Sequence, residues 1–395
     1  MDDDDALLRL HHAAGSAGWL RRLLTLSSVE AAHTPALAAL AAPASSWAEA
    51  GAPAEARALA NGKAAIDASR RARQWRDGGA QRQFIGWTSP LYPSLLASSP
   101  APPTLLFAEG QAERLWWPQI ALVGSRAPSP AGRERAARWA AHFASAGFVV
   151  TSGLAAGIDA AAHAACLAAP GSIAVMGTGP DLCFPSGHAT LKAGIAREGC
   201  VLSEYPPGTP VRAWQFPERN RIIAGLTLAT VVVEAAQRSG ALITARLAAE
   251  AGREVFALPG APENPKARGC HRLIREGAVL ADSPEQVVEA LAGMAATVAP
   301  ALRAQLGLPT PPPDRRASGC NTEASAGEAA LLAALGEDGA SFDELLARTG
   351  LTGPTLAPIL LAMELEGRLT QQHGVYHPCG SAFPTRAGAR RRRTG

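Results

Sequence analysis

The sequence predicts an α/β protein with a parallel sheet in mid-chain, a helical block before it, and a small domain of helices plus a β-hairpin after it. Three observations predict this. Between residues 119 and 292, six short apolar runs alternate with Ala/Arg-rich stretches long enough to form helices. Before residue 72, leucines and alanines recur at near-helical spacing. After a Pro-rich break, residues 327–378 hold three helix-forming segments and end in two short runs about a turn. Strand–helix alternation implies right-handed crossovers and a parallel sheet covered on both faces.

Composition narrows the class. A chain of 395 residues suggests two or three domains. At 47% hydrophobic residues, a wholly disordered chain is excluded. The net charge of +3 does not by itself demand a nucleic-acid partner. The six cysteines are scattered with no C-x-x-C pair, which excludes a short-spaced zinc site and argues against a disulfide scaffold. Met1 to Asp5 is acidic, the reverse of a signal-peptide start, and no uncharged apolar run reaches about 18 residues. A cytoplasmic protein that makes no use of a membrane is expected.

The elements follow in order. In residues 1–72, Leu7, Leu8 and Leu10 precede Trp19, Leu20, Leu23 and Leu24, with Ala14 to Gly18 as a hairpin between two helices. Pro43 to Pro53 breaks the helices again. Residues 73–118 interleave Trp and Pro and read as an ordered arm packed on a larger body. The expected strands are Ile120–Val123, Phe148–Thr151, Ile173–Met176, Cys200–Ser203, Thr230–Val233 and Glu254–Leu258. Residues 293–326, with Pro309 to Pro313, read as a linker. In 327–378, helices at Glu328–Leu335, Ser341–Arg348 and roughly Thr355–Glu366, then a hairpin about Gln371–Gly374, make a winged-helix pattern. Pro358 should kink or shorten the third helix. Residues 379–395 form a basic tail ending in Arg390 to Arg393.

In an open parallel sheet, ligands bind beyond the carboxyl ends of the strands. The residues there suit anions. The first strand ends in Gly124-Ser125-Arg126, where glycine admits backbone amides, serine offers a hydroxyl and arginine can fork onto a phosphate. A tight turn with an exposed arginine is the plain alternative. The second strand runs into Thr151-Ser152-Gly153, then Gly157, Asp159 and His163. Asp159 and His163 share a helix face and could form an acid–base pair, but a dipole-stabilised Asp beside a packed His explains them better. Farther along, Phe216-Pro217-Glu218-Arg219-Asn220-Arg221 groups two cations and an amide, either as a binding cluster or as a surface salt-bridge cluster. After the fifth strand, Ser239-Gly240 either cradles a phosphate or caps a helix. From 119 to 283, sixteen Lys/Arg face twelve Asp/Glu. Several anion-ready turns along one edge suit a polyanion better than a single nucleotide.

Taken together, these motifs resemble the DNA-processing protein A (DprA/Smf) family. The resemblance rests on Val123 to Arg126, Ser152 to Asp159, Phe216 to Gly225, Ser239 to Ala245 and Val255 to Gly260, in order over about residues 80–290. It implies an extended Rossmann-like domain over 73–292, a sterile-alpha-motif-like domain before it and a winged helix after the linker. It also implies a non-enzymatic protein without cofactor or metal. Such a protein binds single-stranded DNA, protects incoming strands in natural transformation, loads RecA recombinase onto strands coated by single-strand-binding protein, and forms a homodimer. The binding residues implied are Ser125, Arg126, Gly153, Arg212, Phe216, Arg219, Asn220, Arg221 and Gly240, with Phe216 offering a stacking face. His188 and His271 stand where the family pattern leads one to expect Asn. Two other readings compete: a Rossmann-like nucleotide hydrolase of the phosphoribohydrolase kind, and a transcription regulator led by the winged helix. The first lacks a P-G-G-x-G-T motif before a Glu.

Charge opposes the second. Residues 327–378 hold seven acids against Arg348 and Arg368, a net of −5, and an acidic domain is repelled by DNA. This domain is expected to bind protein, or its own chain. Deleting 318–395 should therefore cost little single-strand affinity beyond deletion of 381–395. A further loss above about tenfold, or roughly 1.4 kcal/mol, measured at fixed salt, would show that the winged helix contacts DNA.

Overall fold

A computed structural model describes residues 1–15, 17–30, 34–167, 171–305, 331, 334–335, 340–351, 356, 359–360, 363, 369–372 and 375–378. By internal contacts the chain divides into two units, Met1–Pro309 and Thr310–Gly395.

The first unit opens with helices α1 (Asp3–Ala14), α2 (Gly18–Glu30), α3 (Pro35–Ala41), α4 (Ala44–Glu49), α5 (Ala56–Asn61) and α6 (Lys63–Asp77). The α1 N-terminus is capped by Asp2, whose carboxylate accepts from the Asp5 amide at 2.8 Å. The Pro43 to Pro53 break encloses α4, so it separates helices without lacking one.

The sheet follows: β1 (Arg82–Gly86), α7 (Ser94–Ala97), β2 (Leu105–Gly110), β3 (Gln119–Val123), α8 (Pro130–Ser145), β4 (Val149–Ser152), α9 (Ile158–Ala165), β5 (Ser172–Met176), α10 (Ala189–Glu198), β6 (Cys200–Ser203), α11 (Gln215–Leu226), β7 (Ala229–Val232), α12 (Ala241–Glu250), β8 (Glu254–Ala257), α13 (Arg268–Arg275), β9 (Val279–Leu280) and α14 (Pro284–Gln305). The six expected strands are present, each within one residue of its expected bounds. The Trp/Pro arm is more than packing. Its β1 and β2 extend the sheet antiparallel from β6, with Phe107 opposite Ser203. The stretch expected to lose order after 292 begins instead as helix, because α14 continues to Gln305.

Strand order is β1-β2-β6-β5-β4-β3-β7-β8-β9, parallel from β6 to β9. The chain winds outward from β3 to β6, crosses back through α11, and winds the other way from β7. The order therefore reverses between β3 and β7, leaving a crevice at their carboxyl ends.

Alternating residues of one strand feed opposite cores. Ile120 and Leu122 pack with Trp139 and Phe143 of α8, while Ala121 and Val123 pack with Ile222 and Ile223 of α11. Burial on both faces explains why the central strands read as unbroken apolar runs. β2 does the same at the edge, giving Leu106 and Ala108 to the sheet core and Leu105 and Phe107 to the core of the helical block.

In the second unit, β10 (Ala340–Ser341), α15 (Phe342–Thr349), β11 (Leu369–Gln372) and β12 (Val375–Pro378) form a helix and a three-stranded sheet in the order β10-β12-β11. Ser341 and Glu344 make a reciprocal capping box, and Gly350 ends α15 at φ +67°, a left-handed position suited to glycine. The expected second helix and the hairpin are thus seen. Pro358, most of the first and third helices, and the tail lie outside the described residues.

The helical block is pinned to the sheet by a buried histidine. The His11 Nε2 lies 3.1 Å from the Glu204 carbonyl, which only accepts, so Nε2 carries the proton; Nδ1 lies 3.1 Å from the Thr104 hydroxyl. Burial lowers the His11 pKa from 6.5 to about 4. The unfolded chain then takes up this proton first. The stability His11 provides is complete above the ordinary imidazole value and is lost as pH falls from 6.5 toward about 4. The full loss is on the order of 3 kcal/mol at about 1.4 kcal/mol per pH unit. His11→Gln should flatten this part of the stability profile, as read by urea midpoints at about pH 7 and about pH 4.5. An unchanged slope would show that His11 does not control it.

Candidate nucleic-acid interface

The crevice between β3 and β7 is built by three segments: the β3–α8 loop, the β7–α12 loop and the start of α11. Glu234, just past β7, joins the first two. Its carbonyl accepts from the Ser125 amide at 2.7 Å, and its buried carboxylate accepts from the Ser129 amide at 2.9 Å and from the Ser129 hydroxyl. Ser129 in turn caps α8, accepting from the Gly132 amide at 2.9 Å. Gly132 leaves room for this carboxylate; a Cβ there would lie 2.4 Å from the Glu234 Cδ.

The resulting cleft, of about 470 Å³, is lined by Ser125, Arg126, Phe216, Arg219, Asn220 and Gly240 among the expected residues, and by Arg238. Arg126 is exposed, and its guanidinium carbon lies 5.6 Å from the Phe216 ring centroid, a cation–π arrangement. Phe184 also packs against Phe216, with 5.4 Å between ring centroids. Phe216 and Asn220, four residues apart, share one face of α11. Arg238 stands exposed on the opposite loop. Cations at two walls and an aromatic face between them can neutralise phosphates and stack a base.

Three expected contact residues sit elsewhere, and a fourth serves as framework. The Arg219 side chain points inward. Its Nη1 donates to the Gly153 carbonyl at 2.8 Å and to the Val175 carbonyl, and only 4% of the residue is exposed. Burial lowers its pKa to about 10, opposed by Asp159, so it remains charged at neutral pH. Gly153 is buried behind it; a Cβ there would meet the guanidinium at 2.5 Å, so this glycine serves packing. Arg221 turns to the other side of α11, pairing with Glu204 and donating to the Ala101 carbonyl at 2.7 Å. Arg212 is exposed but does not line this cleft. Arg238 was missed by sequence reasoning; the available signal was a cation directly preceding the Ser239-Gly240 turn.

Asp159 and His163 are both buried, and Asp159 is among the residues lining the cleft. The Asp159 carboxylate accepts from the Gly153 and Ala155 amides at 3.1 and 3.3 Å, and burial raises its pKa against the pull of Arg219. His163 is buried, 3.0 Å from the Ser172 hydroxyl, with its pKa lowered to about 3 by burial. His188 and His271 meet backbone carbonyls, of Leu154 at 3.0 Å and Gly260 at 2.9 Å. Burial pushes Cys166 and Cys200 up to about 12 and Cys270 to about 11. Among the described residues no group of three His, Cys, Asp or Glu side chains could hold a metal, and no helix is long and apolar enough to cross a membrane.

Fold and site define an extended Rossmann-like α/β protein with an arginine-lined crevice at its topological switch point. The chain belongs to the DNA recombination-mediator protein A family, whose model matches residues 83–292; residues 308–375 match the DprA winged helix domain. It is 40% identical over 293 residues to Protein Smf of Escherichia coli, covering 73% of this chain and 75% of that one. It is 44% identical over 198 residues to the DNA processing protein DprA of Streptococcus pneumoniae, covering 50% and 70%. The X-ray structure of that pneumococcal DprA superposes with a TM-score of 0.60 at 31% identity, covering 72% of this chain and 97% of the other. DNA processing protein A from Helicobacter pylori, described for its single-stranded DNA binding mode, has a TM-score of 0.50 at 26% identity and covers 54% and 96%.

The two kinds of arginine should separate experimentally. Arg219→Ala leaves buried carbonyls and Asp159 uncompensated and should cost about 3–5 kcal/mol of stability. Arg238→Ala, exposed, should stay within about 0.5 kcal/mol of wild type. Urea denaturation checks both, and equal effects would contradict the inward placement of Arg219.

Proposed function

We propose that this protein binds single-stranded DNA in the β3/β7 crevice and acts as a carrier rather than a catalyst. The observation that supports this most is the meeting of Arg126, Phe216, Asn220 and Arg238 around one open cleft. Phosphates would lie against the arginines and a base on Phe216, where stacking contributes about 1–3 kcal/mol. Neither groove geometry nor base-edge readout is needed, so binding tolerates any sequence. The same reading includes protection of incoming strands in natural transformation, hand-over to RecA recombinase on strands coated by single-strand-binding protein, and a cytoplasmic homodimer. It is supported by family membership and by the H. pylori relative described as binding single-stranded DNA. A nucleotide-hydrolase activity finds little support in Asp159 and His163, both buried and committed to structural hydrogen bonds.

Salt titration tests this function. Each neutralised phosphate contributes about −0.7 to the log–log slope of single-strand affinity against salt. Arg126→Ala should weaken binding, flatten the slope by about that amount and leave the fold intact. Wild-type binding by this variant at several salt concentrations would place the DNA elsewhere.

A further inference from the structure

Arg126 stands in the wall of two clefts. On its far side from Phe216 a second groove, of about 670 Å³, runs between α9 and the start of α10. Its rim carries Arg126 and Arg133, its far side His188 and Thr190, and its floor is Ala156, Gly157 and alanines of α9. No acidic residue lines it. Arg133 is exposed on the first turns of α8, a helix whose start is fixed by the Ser129–Glu234 clamp, so its backbone is held beside the groove and its guanidinium can reach it.

We propose that this groove is a second segment of the strand path, taking the sugar–phosphate backbone as it leaves the β3/β7 crevice; the proposal rests on the single-stranded DNA reading above. Three features favour a nucleic-acid backbone. The groove shares Arg126 with the first cleft, so a strand with one phosphate at Arg126 has neighbours in both. Its charged side chains are cations. Ala156, Ala160, Ala161 and Ala164 put no side chain beyond Cβ into the groove, which allows close approach; Leu167 and Leu191 complete the lining, and its one aromatic ring, His188, is tied to the Leu154 carbonyl at 3.0 Å. The first cleft would thus hold a base and its phosphates, and the second only backbone. That division lets the protein grip a strand of any sequence over more than one phosphate.

The test compares oligothymidines of about four and about sixteen nucleotides, within the range of single-strand site sizes. Arg133→Ala and Ala164→Glu lie at exposed helix positions, and Thr190→Arg adds a cation at another. Equal thermal melting to wild type establishes that each variant folds. On the long strand, Arg133→Ala should lower affinity about fivefold and reduce the salt slope by about 0.7. Ala164→Glu should lower it about tenfold by placing a carboxylate in the path. Thr190→Arg should tighten binding. On the short strand, all three should match wild type, whereas Arg126→Ala should weaken both strands. If Arg126→Ala weakens binding but the three groove variants bind the long strand like wild type, the second segment is overturned while the first cleft stands. Equal losses on short and long strands would also overturn it, because Arg133 would then serve the first cleft. Wild-type behaviour by Arg126→Ala would remove the reading on which the proposal depends.

Discussion

Glu234 sets the geometry from which the site follows. Where strand order reverses, the loops after β3 and β7 diverge, and nothing in the sheet itself fixes their separation. Glu234 does so twice, with its carbonyl on the Ser125 amide and its carboxylate on Ser129. Because Ser129 also caps α8, one side chain sets the loop carrying Arg126, the direction of α8 and the width of the cleft. The carboxylate placed here is buried and accepts from the Ser129 amide and hydroxyl, so its oxygens are engaged in building the wall.

Arg219 performs the matching task for α11. Its guanidinium ties that helix to the carbonyls of Gly153 and Val175 at the ends of β4 and β5, while Arg221 ties the opposite side to Glu204 and the arm. Phe216 and Asn220 are thus offered to the cleft by a helix held on two sides. His11 reaches the Glu204 carbonyl from the helical block, so the same junction also carries the packing of α1 against the sheet.

Much of this was legible in the chain. The central strands stand out because burial on both faces demands continuous Val, Ile, Leu and Ala. β1 and β2 did not stand out, because β2 joins the sheet by pairing with β6 nearly a hundred residues away, β1 joins only through β2, and the flanking prolines and tryptophans resemble a packed arm. The glycines at 124 and 153 read as anion nests, yet a Cβ at either would strike a neighbour, Ile158 or the Arg219 guanidinium. Composition alone does not separate a glycine that admits a ligand from one that admits a side chain. The run Arg219-Asn220-Arg221 divides for a geometric reason. Consecutive residues on a helix point about 100° apart, so at most one of the three can face the cleft squarely. The i, i+4 pair Phe216 and Asn220 was the better guide.

The central claim is that one strand of DNA lies across the β3/β7 crevice against Arg126 and Phe216. Photo-crosslinking of a bromodeoxyuridine-containing single strand to the full chain, followed by peptide mapping, tests it most directly. The account predicts adducts in the peptides carrying Arg126, Phe216 and Arg238. Adducts confined to residues 1–77 or 340–378 would contradict it.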